Sequence, residues 1–393
     1  MMRVLRSVLA AHYLAAFTAL GMPLFMPRVL AQLAPHSPEW LVGVLYVLPT
    51  ICTALTAATW GRLADRYGRK LSLVRALLGL AFGFALAGLA PNLPVFILAL
   101  IIQGGCGGSL AAANAYLSTQ VQGPALSRSL DWTQFSARLA MVTAPALLGL
   151  ATDRGLAQGL YTYLAALPLL GLLLAIQLPP DSVTGTPGAA DARSAAKPDR
   201  RHGTRLWGLL GIQFLYYFSV VITFPYFLVY CRTLGIADDS MAGLIYSLPH
   251  LVYLVLMPWL KPGKLVLSHW ALLGGLGVLT GASLCQAWLK HAGPLLPVRV
   301  LYGVGMTLTI IGLNRAISEC AKQGATGRLF GVFDACGKWS GTLGGVIAGV
   351  LMQRYGPAMP FVASTLAGIG ALIVAAFVFL INKRPGYVPA RHT

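Results

Sequence analysis

The chain has 393 residues, of which 57% are apolar and only 10% are charged, and its mean hydropathy is +0.72. Since a soluble domain carries about 25% charged residues, this composition excludes a soluble globular protein and indicates a surface that faces hydrocarbon. The net charge of +18 does not indicate a nucleic-acid partner, because the cations lie in short segments between apolar runs.

Twelve apolar runs are long enough to cross a bilayer, which takes about 20 residues of helix. Backbone polar groups in lipid must be paired within the segment, so each run is predicted to be a helix. The predicted spans are 7–27, 39–60, 71–90, 94–116, 131–152, 159–178, 206–230, 240–260, 265–288, 294–314, 329–352 and 357–381. The first run is longer than the core of a signal peptide, so we expect it to be retained.

The distribution of lysine and arginine predicts the orientation. Twenty-one of these cations fall in segments that the alternating spans place on one side, and five fall on the other. Cytoplasmic loops carry the excess of positive charge. We therefore expect a multi-pass protein of a bacterial inner membrane with both termini in the cytoplasm.

One segment, 179–205, is predicted to be a cytoplasmic linker, because its start is rich in proline, glycine and small polar residues and cannot form a core. It separates a first six-helix bundle, 1–178, from a second, 206–393. The two halves repeat at an offset of 200 residues. The repeated positions are Gly43/Gly243, Tyr46/Tyr246, Pro49/Pro249, Asn114/Asn314, Arg138/Lys338, Gly149/Gly349 and Arg154/Arg354.

A polar, basic segment between the second and third spans runs from Trp60 to Lys70, and Gly61 and Gly68 are expected to let the chain turn sharply there. Its pattern, Gly-x-Leu-Ala-Asp-Arg-x-Gly-Arg-Lys, resembles the signature of the major facilitator superfamily. The resemblance implies an all-α membrane fold of twelve helices in two pseudo-symmetric six-helix bundles. It also implies that this loop latches the two halves in one conformation. The implied latch residues are Gly61, Asp65, Arg66, Gly68 and Arg69.

Three cations lie within predicted spans: Arg138, Arg299 and Lys338. An ionisable group at membrane depth usually faces a wet cavity or a partner. Cations beside a central cavity would attract an anionic or electron-rich cargo, so we expect all three to bind substrate. Pairing inside the protein stays open as an alternative, because Asp334 precedes Lys338 by one helical turn and Asp131 precedes Arg138 by two.

Three polar side chains complete the predicted substrate site: Asn114, Tyr246 and Asn314. Buried amides and repeated tyrosines need hydrogen-bond partners, which a cavity or its cargo would supply. No metal site, disulfide frame or cofactor is predicted, because the six cysteines have no paired spacing.

The residues that handle protons in the first half of proton-coupled members of the family are missing here. The first span has no carboxylate, and Leu100 stands where the fourth span would carry an arginine. If protons drive transport, the candidates are Asp334, Asp131 and His12. His12 and His250 are otherwise expected to be ordinary hydrogen-bonded helix residues.

We expect a monomeric secondary transporter that exports a small polar or anionic molecule, such as a siderophore-like chelator, an organic acid or a sugar-like metabolite. Its partners would be that molecule, the lipid bilayer and a coupling proton. The fifth span resembles, in degraded form, the glycine-proline motif of the family's antiporters, which favours export. Two alternatives are a multidrug/proton antiporter for lipophilic cations and an importer of an anionic metabolite. An enzyme is disfavoured, because no His-Glu-x-x-His or Ser-His-Asp arrangement occurs.

Overall fold

The computed structural model describes residues 2–181, 200–260, 268–320 and 326–381, and no β-strand occurs in these ranges. The first half contains α1 (Met2–Gly21), a 3-10 turn (Met22–Phe25), α2 (Met26–Leu33), α3 (Trp40–Tyr67), α4 (Arg69–Gly88), α5 (Leu93–Gly105), α6 (Ser109–Gln120), α7 (Gly123–Thr152), α8 (Gly159–Leu164) and α9 (Ala166–Ile176). The second half contains α10 (Arg200–Val221), α11 (Phe227–Thr233), α12 (Asp239–Leu256), α13 (Ser268–Trp288), α14 (Leu295–Cys320), α15 (Thr326–Tyr355) and α16 (Met359–Ile381).

Helices occupy all twelve predicted spans, and the predicted all-α membrane fold is confirmed. Four spans are broken, at the junctions α1/α2, α5/α6, α8/α9 and α10/α11. Pro23 and Pro225 lie in the first and last of these breaks, where a residue without an N–H interrupts the helical ladder. The α5/α6 break ends at Gly108, whose φ of 90° suits glycine.

Within the described ranges, ten helical segments are long and apolar enough to cross a membrane. The two predicted spans outside that set contain α10 with α11, and α15. Both are more polar than the others. They lie against other helices, since α10 packs on α15 and α15 packs on α3.

The turn in the signature segment differs from the prediction. Gly61 lies inside α3, which continues to Tyr67, and the chain reverses at Gly68 alone, with φ of 101°. The expectation of a turn at Gly61 is therefore wrong. Arginine, leucine and alanine are good helix formers, so the helix continues past the end of its apolar stretch. Helix α10 likewise begins at Arg200, inside the segment predicted to be linker. The remaining linker residues 182–199, the second-half loop 261–264 and the tail after 381 lie outside the described residues.

The two halves contact each other where α3 crosses α15 and where α7 crosses α12. We call outer the helix ends that the predicted orientation places outside the cell, and inner the opposite ends. The outer part of α3 is buried at Val42, Leu45 and Val47, whereas its inner part is exposed at Leu55. Val255 near the inner end of α12 is also exposed. Among the described residues, the two halves are therefore packed together at the outer end, while α3 and α12 are exposed toward the inner end.

Candidate functional site at the boundary between the two halves

At the outer end the backbones of the two halves meet directly. A Cβ atom on Gly43 of α3 would lie 2.2 Å from the carbonyl oxygen of Gly345 of α15. A Cβ atom on Gly243 of α12 would lie 2.2 Å from the carbonyl oxygen of Pro145 of α7. Each residue of the first contact lies 200 positions from its counterpart in the second. The sequence repeat therefore corresponds to two symmetric helix crossings that need glycine.

An ion-pair network lies beyond these crossings. Arg28 of α2 donates to Asp239 of α12 through Nε, at 2.7 Å, and through Nη2, at 3.1 Å. Arg232 of α11 donates to the same carboxylate at 2.8 Å. We call Arg28, Arg232 and Asp239 the outer lock. Because Arg28 and Asp239 belong to different halves, their partly buried, charge-assisted bonds must break before the outer end opens.

A second carboxylate caps the helix that carries the lock. Asp153, which follows the last residue of α7, accepts hydrogen bonds from the backbone N–H groups of Asp239, at 2.6 Å, and Ser240, at 3.1 Å. Burial acts to raise the pKa of Asp153, but hydrogen bonds from Ser240 and from the two N–H groups, together with the charge of Arg28, lower it below its ordinary value of 3.8.

The sign of this shift determines the pH range in which the cap works. A carboxyl group with a lowered pKa makes its full contribution to the closed outer end when the pH is above the ordinary pKa of the group. It loses that contribution only as the pH falls through the lowered value. The contribution of Asp153 is therefore constant across physiological pH, and this contact is not a pH sensor there.

The first turn of α3 is held from the opposite half as well. The hydroxyl of Tyr226, between α10 and α11, accepts from the backbone N–H of Gly43 at 2.9 Å and donates to the carbonyl of Glu39 at 2.7 Å. Each half therefore satisfies the start of one helix of the other half. The repeat-related phenols of Tyr46 and Tyr246 also interact across the boundary.

Arg138 lies near the middle of α7 and faces the second half. Its Nη1 is 2.9 Å from Nδ1 of His250 in α12, and its guanidinium lies 4.7 Å from the centre of the Tyr253 ring. In the described ranges no carboxylate lies within ion-pair distance of Arg138. The half-buried guanidinium thus has a neutral hydrogen-bond partner and an aromatic neighbour but no counter-ion.

Helix α10 closes the site with aromatic side chains. Arg138 lies close enough to the phenols of Tyr216 and Tyr217 for its charge to interact with them. The two rings pack edge to face, with 5.3 Å between their centres. Tyr217 also lies against Gly337 of α15. We call Arg138, His250, Tyr253 and Tyr217 the boundary site, because it joins α7 to α10 and α12 at the level where the outer contact ends.

Lys338, the repeat counterpart of Arg138, has a different environment. Its Nζ is 2.7 Å from the carboxylate of Asp334 on the same helix, and its side chain is 40% exposed. On α3 the counterpart of His250 is Thr50, which cannot act as an imidazole partner. The two cations are repeat-related in sequence, but only Arg138 lacks a counter-ion in the described part of the chain.

Arg299 lies inside the second half and not at the boundary. It is 1% exposed, and it donates to the carbonyls of Ile245, at 3.4 Å, and Tyr246, at 2.9 Å. Pro249 has no N–H, so the carbonyl of Ile245 lacks its normal helical donor. Arg299 supplies that donor, and its guanidinium lies 4.5 Å from the centre of the Phe227 ring. A contact between Arg299 and substrate stays a prediction, and the partners seen here lie within the second half.

The predicted amides have environments of their own. Asn114 accepts a hydrogen bond from Thr133 at 2.7 Å within the first half, and Asn314 is exposed toward the inner end of α14. Tyr246 is buried beside His250, with 6.1 Å between ring centres. Tyr246 therefore borders the boundary site, and substrate contact by Asn114 and Asn314 stays a prediction.

The predicted proton carriers are also separated. His12 is buried and lies 3.0 Å from the hydroxyl of Ser136, which joins α1 to α7. Asp131 is exposed toward the inner end of α7, and Asp334 is the partner of Lys338. Their role in proton coupling stays a prediction.

Among the described residues, the partners of the predicted latch residues lie in the first half and at the start of the predicted linker. Asp65 is 71% exposed and lies 3.5 Å from Arg69. The guanidinium of Arg66 lies 5.4 Å from the ring of its neighbour Tyr67. Arg69 donates to Ser118 at 2.7 Å.

The start of the predicted linker holds the signature segment in place. The backbone N–H of Arg69 donates to the carboxylate of Asp181. Lys70 donates to the carbonyl of Ile176 at 2.7 Å, and Tyr116 donates to the carbonyl of Pro179 at 2.9 Å. The latch segment is thereby tied to α6 and α9 of its own half.

Sequence reasoning missed the outer lock and the role of His250. The sequence identified Arg28 and Arg232 only as cations on the outer side. Asp239, four residues before the repeated Gly243, is a carboxylate at the same membrane face and could have indicated an ion pair with them. His250 directly follows the repeated Pro249, which placed it on the face that crosses α7. That position was a usable signal.

Comparisons with known proteins agree with this architecture. The family model of the Major Facilitator Superfamily matches residues 8–265. The human organic anion transporter MFSD10 (TETRAN) is 18% identical, with 95% of this chain and 99% of that chain covered and a TM-score of 0.67. A D-xylose-proton symporter is 14% identical, with 96% and 97% covered and a TM-score of 0.75. At these identities the likeness shows the fold alone.

Curated relatives match over a shorter stretch. The multidrug resistance protein MdtG of Dickeya zeae is 38% identical over 116 residues, which are 29% of this chain and 28% of that protein. MdtG of Erwinia billingiae is 33% identical over 111 residues, 28% of this chain and 27% of that protein. The chain thus aligns with less than a third of the length of these relatives. Because the family model covers more than half of the chain, and the solved structures share its fold over nearly the whole length, the chain belongs to the Major Facilitator Superfamily of membrane transporters.

Proposed function

We propose that this chain exports a small organic anion across a bacterial inner membrane by alternating access, with both termini in the cytoplasm. The observation that carries the proposal is Arg138, a half-buried cation at the boundary of the two halves without a counter-ion among the described residues. A charge at membrane depth is costly unless it is paired or wet, so a bound anion would complete the site.

The neighbours of Arg138 suit such a cargo. His250 accepts one hydrogen bond from the guanidinium and leaves its charge unneutralised. The remaining N–H donors of Arg138 can bind a carboxylate or sulfonate through two hydrogen bonds. The rings of Tyr253 and Tyr217 supply flat apolar surfaces for the organic part of the molecule. The inner end is open, so we place loading on the cytoplasmic side.

The name of the matched relatives, multidrug resistance protein, favours export as the direction. The same name supports a second candidate, an exporter of lipophilic cations. Such a cargo would need an unpaired carboxylate at the boundary, whereas Asp334 is paired with Lys338. We therefore place the anion exporter first, and import of the same anion remains the alternative for direction.

Binding of defined probes tests the proposal. Benzoate, glucuronate and methanesulfonate, which are fully ionised at neutral pH, are titrated by calorimetry into the purified protein, with tetraphenylphosphonium as the cationic probe. We expect binding of at least one anion. Loss of charge-assisted hydrogen bonds in Arg138→Gln should weaken it by about 10- to 100-fold, with partial recovery in Arg138→Lys. Arg154→Gln removes an exposed cation just beyond the same helix and serves as the control.

Two outcomes would overturn this assignment. Binding of tetraphenylphosphonium without binding of any anion would favour the cation exporter, and anion binding that survives Arg138→Gln would place the site elsewhere. Flux of the labelled anion is then compared in inside-out and right-side-out vesicles. Accumulation in the inside-out vesicles alone supports export, and accumulation in the other orientation alone supports import.

A further inference from the structure

A cavity of about 280 Å³ lies between the two halves at the outer end. The first half contributes α2, the segment before α3 and the start of α3 to its wall, and the second half contributes Tyr226, α11 and Met352 of α15. We call it the outer cavity. A wall made from both halves is complete only while they are packed together, so the outer cavity belongs to one of the two conformations that transport requires.

Most of the wall is apolar and firmly packed. Leu30 and Val42 of the first half and Met352 of the second are each at most 7% exposed. The hydroxyl of Tyr226 already accepts from the backbone N–H of Gly43 and donates to a backbone carbonyl, so its ring forms part of the wall. An occupant would therefore have an apolar body.

Two side chains of opposite charge, one from each half, also line the outer cavity. Arg232 of the second half donates to Asp239 at 2.8 Å, and it shares that carboxylate with Arg28. A guanidinium has five N–H groups, so Arg232 keeps donors for a further carboxylate. Glu39 of the first half is exposed, and its carboxylate forms no ion pair among the described residues.

We propose that the outer cavity binds a small zwitterion with an apolar body, such as an amino acid with a large apolar side chain, and that the bound molecule holds the outer end closed. Its carboxylate binds Arg232 through charge-assisted hydrogen bonds, and its ammonium group binds Glu39. The volume lies just below the range of about 300–1,000 Å³ for sites of drug-sized ligands, so the occupant is smaller than such a ligand.

Such a ligand changes the conformational equilibrium, because it binds one of the two conformations only. At ten times its dissociation constant it should lower the ratio of molecules with an open outer end to molecules with a closed one about tenfold. Transport would slow accordingly, whatever the cargo is. The inference therefore goes beyond the proposed function and does not rest on the anion site at Arg138.

Calorimetry with L-phenylalanine tests the binding. Two analogues are ranked by their displacement of phenylalanine, so that an anion held at Arg138 does not count. They are 3-phenylpropionate, which lacks the ammonium group, and phenethylamine, which lacks the carboxylate. We expect phenylalanine to bind about tenfold more tightly than either analogue, because each analogue loses one charge-assisted contact. In Glu39→Gln the advantage over 3-phenylpropionate should disappear.

Two matched variants locate the bound molecule. Ala31 is exposed and lines the outer cavity, so the larger side chain in Ala31→Phe should fill the space and abolish binding of phenylalanine. Ala237→Phe makes the same change at an exposed position of the outer end that does not line the cavity, and it should keep full affinity. Arg138→Gln should also keep it, which separates the outer cavity from the proposed cargo site.

A cysteine at a buried outer position reports the conformation. Val47 of α3 is 3% exposed, so in a background without the native cysteines Val47→Cys should react with a maleimide only after the outer end opens. Phenylalanine at ten times its dissociation constant should slow this reaction about tenfold. It should have no effect on the rate when Ala31→Phe is added to the same protein.

The outcomes are independent of the proposed function, since no cargo is present in these measurements. Absence of phenylalanine binding, equal affinity for the three probes, or binding that survives Ala31→Phe would overturn the zwitterion site. An advantage over 3-phenylpropionate that persists in Glu39→Gln would overturn the contact with Glu39. Binding that leaves the maleimide reaction unchanged would overturn the control of the outer end. Since the titration and the displacement need only the unmodified protein, poor folding of a variant does not prevent a decision on binding.

Discussion

Pro249 explains why an arginine is buried within the second half. A proline inside a helix removes the donor that would bond the carbonyl four residues earlier, which is the carbonyl of Ile245. Arg299 of α14 donates to that carbonyl and to the next one, at Tyr246. In the first half, Leu100 precedes Gly104 by four residues as Arg299 precedes Gly303, so no arginine stands there. The arginine therefore holds one bent helix, and with it the position of His250.

Replacement of Arg299 should be costly for this reason. In Arg299→Met the two carbonyls lose charged donors in a buried environment, and we expect a loss of about 2–3 kcal/mol of stability. Thermal unfolding of the purified protein in detergent measures the change. Lys338→Met, at a side chain that is 40% exposed, is the comparison and should cost less than about 1 kcal/mol. Equal losses in the two variants would refute the special role of Arg299.

At the scale of helices, glycine determines where the two halves touch. Two pairs of helices cross at close range, α3 with α15 and α7 with α12. At each crossing a glycine of one helix lies so near the backbone of the other that a Cβ atom there would clash with it. A stripe of small residues permits such close packing in lipid, where apolar burial gives no advantage over the hydrocarbon itself. These contacts lie at the outer end only, so they belong to one of the two conformations that transport requires.

The variant Gly43→Ala should therefore shift the conformational equilibrium. Its new methyl group would lie 2.2 Å from the carbonyl oxygen of Gly345. The closed outer end should lose about 1–3 kcal/mol through overpacking. Spin labels at His36→Cys and Ala237→Cys, in a background without the native cysteines, should report a longer distance across the outer end.

Gly61→Ala is the matched control, because Gly61 lies in the same helix and a Cβ there meets no other atom within 4 Å. It should leave the distance between the labels unchanged and add up to about 1 kcal/mol of helix propensity. An unchanged distance in Gly43→Ala, equal to that of this control, would mean that the crossing tolerates a side chain.

At the scale of the whole molecule, the described residues bring the two halves together at the outer end, while the predicted latch contacts the first half and the start of the linker. Arg69 and Lys70 bind α6 and α9 of the first half, and Arg69 also binds Asp181 at the start of the predicted linker. The inner end of α3 is exposed at Leu55, so the signature segment has no second-half partner in the described ranges. We propose that the latch engages only when the inner end closes, and that the outer lock and the latch alternate.

This alternation predicts a selective effect of Asp65→Asn. Asp65 has one exposed ion pair at 3.5 Å, which contributes little to stability. The melting temperature should stay within about one degree, while transport in proteoliposomes should fall by about tenfold, since a latch worth 1–2 kcal/mol would be lost in the other conformation. Arg62→Gln, an exposed charge change one turn earlier in the same helix, should leave the flux unaffected. Normal flux in Asp65→Asn would contradict the latch.

Several features of the molecule were readable from the sequence alone. Lipid cannot hydrogen-bond the backbone, so long apolar runs must be helices, and all twelve occur where predicted. The repeat of Gly43 at Gly243 indicated duplicated halves, and the signature from Gly61 to Lys70 indicated the family. Each of these signals is local, or is a comparison of the chain with itself, and needs no knowledge of how helices pack.

Tertiary structure alone decided what each buried charge contacts. Arg138 pairs with His250, which lies 112 positions away, whereas its repeat counterpart Lys338 pairs with Asp334 on its own helix. Arg299 donates to a carbonyl of another helix. The sequence determined that these charges lie at membrane depth. Their partners depend on the angle and rotation at which distant helices meet, and those follow from the packing of small residues between helices, which has no one-dimensional signature.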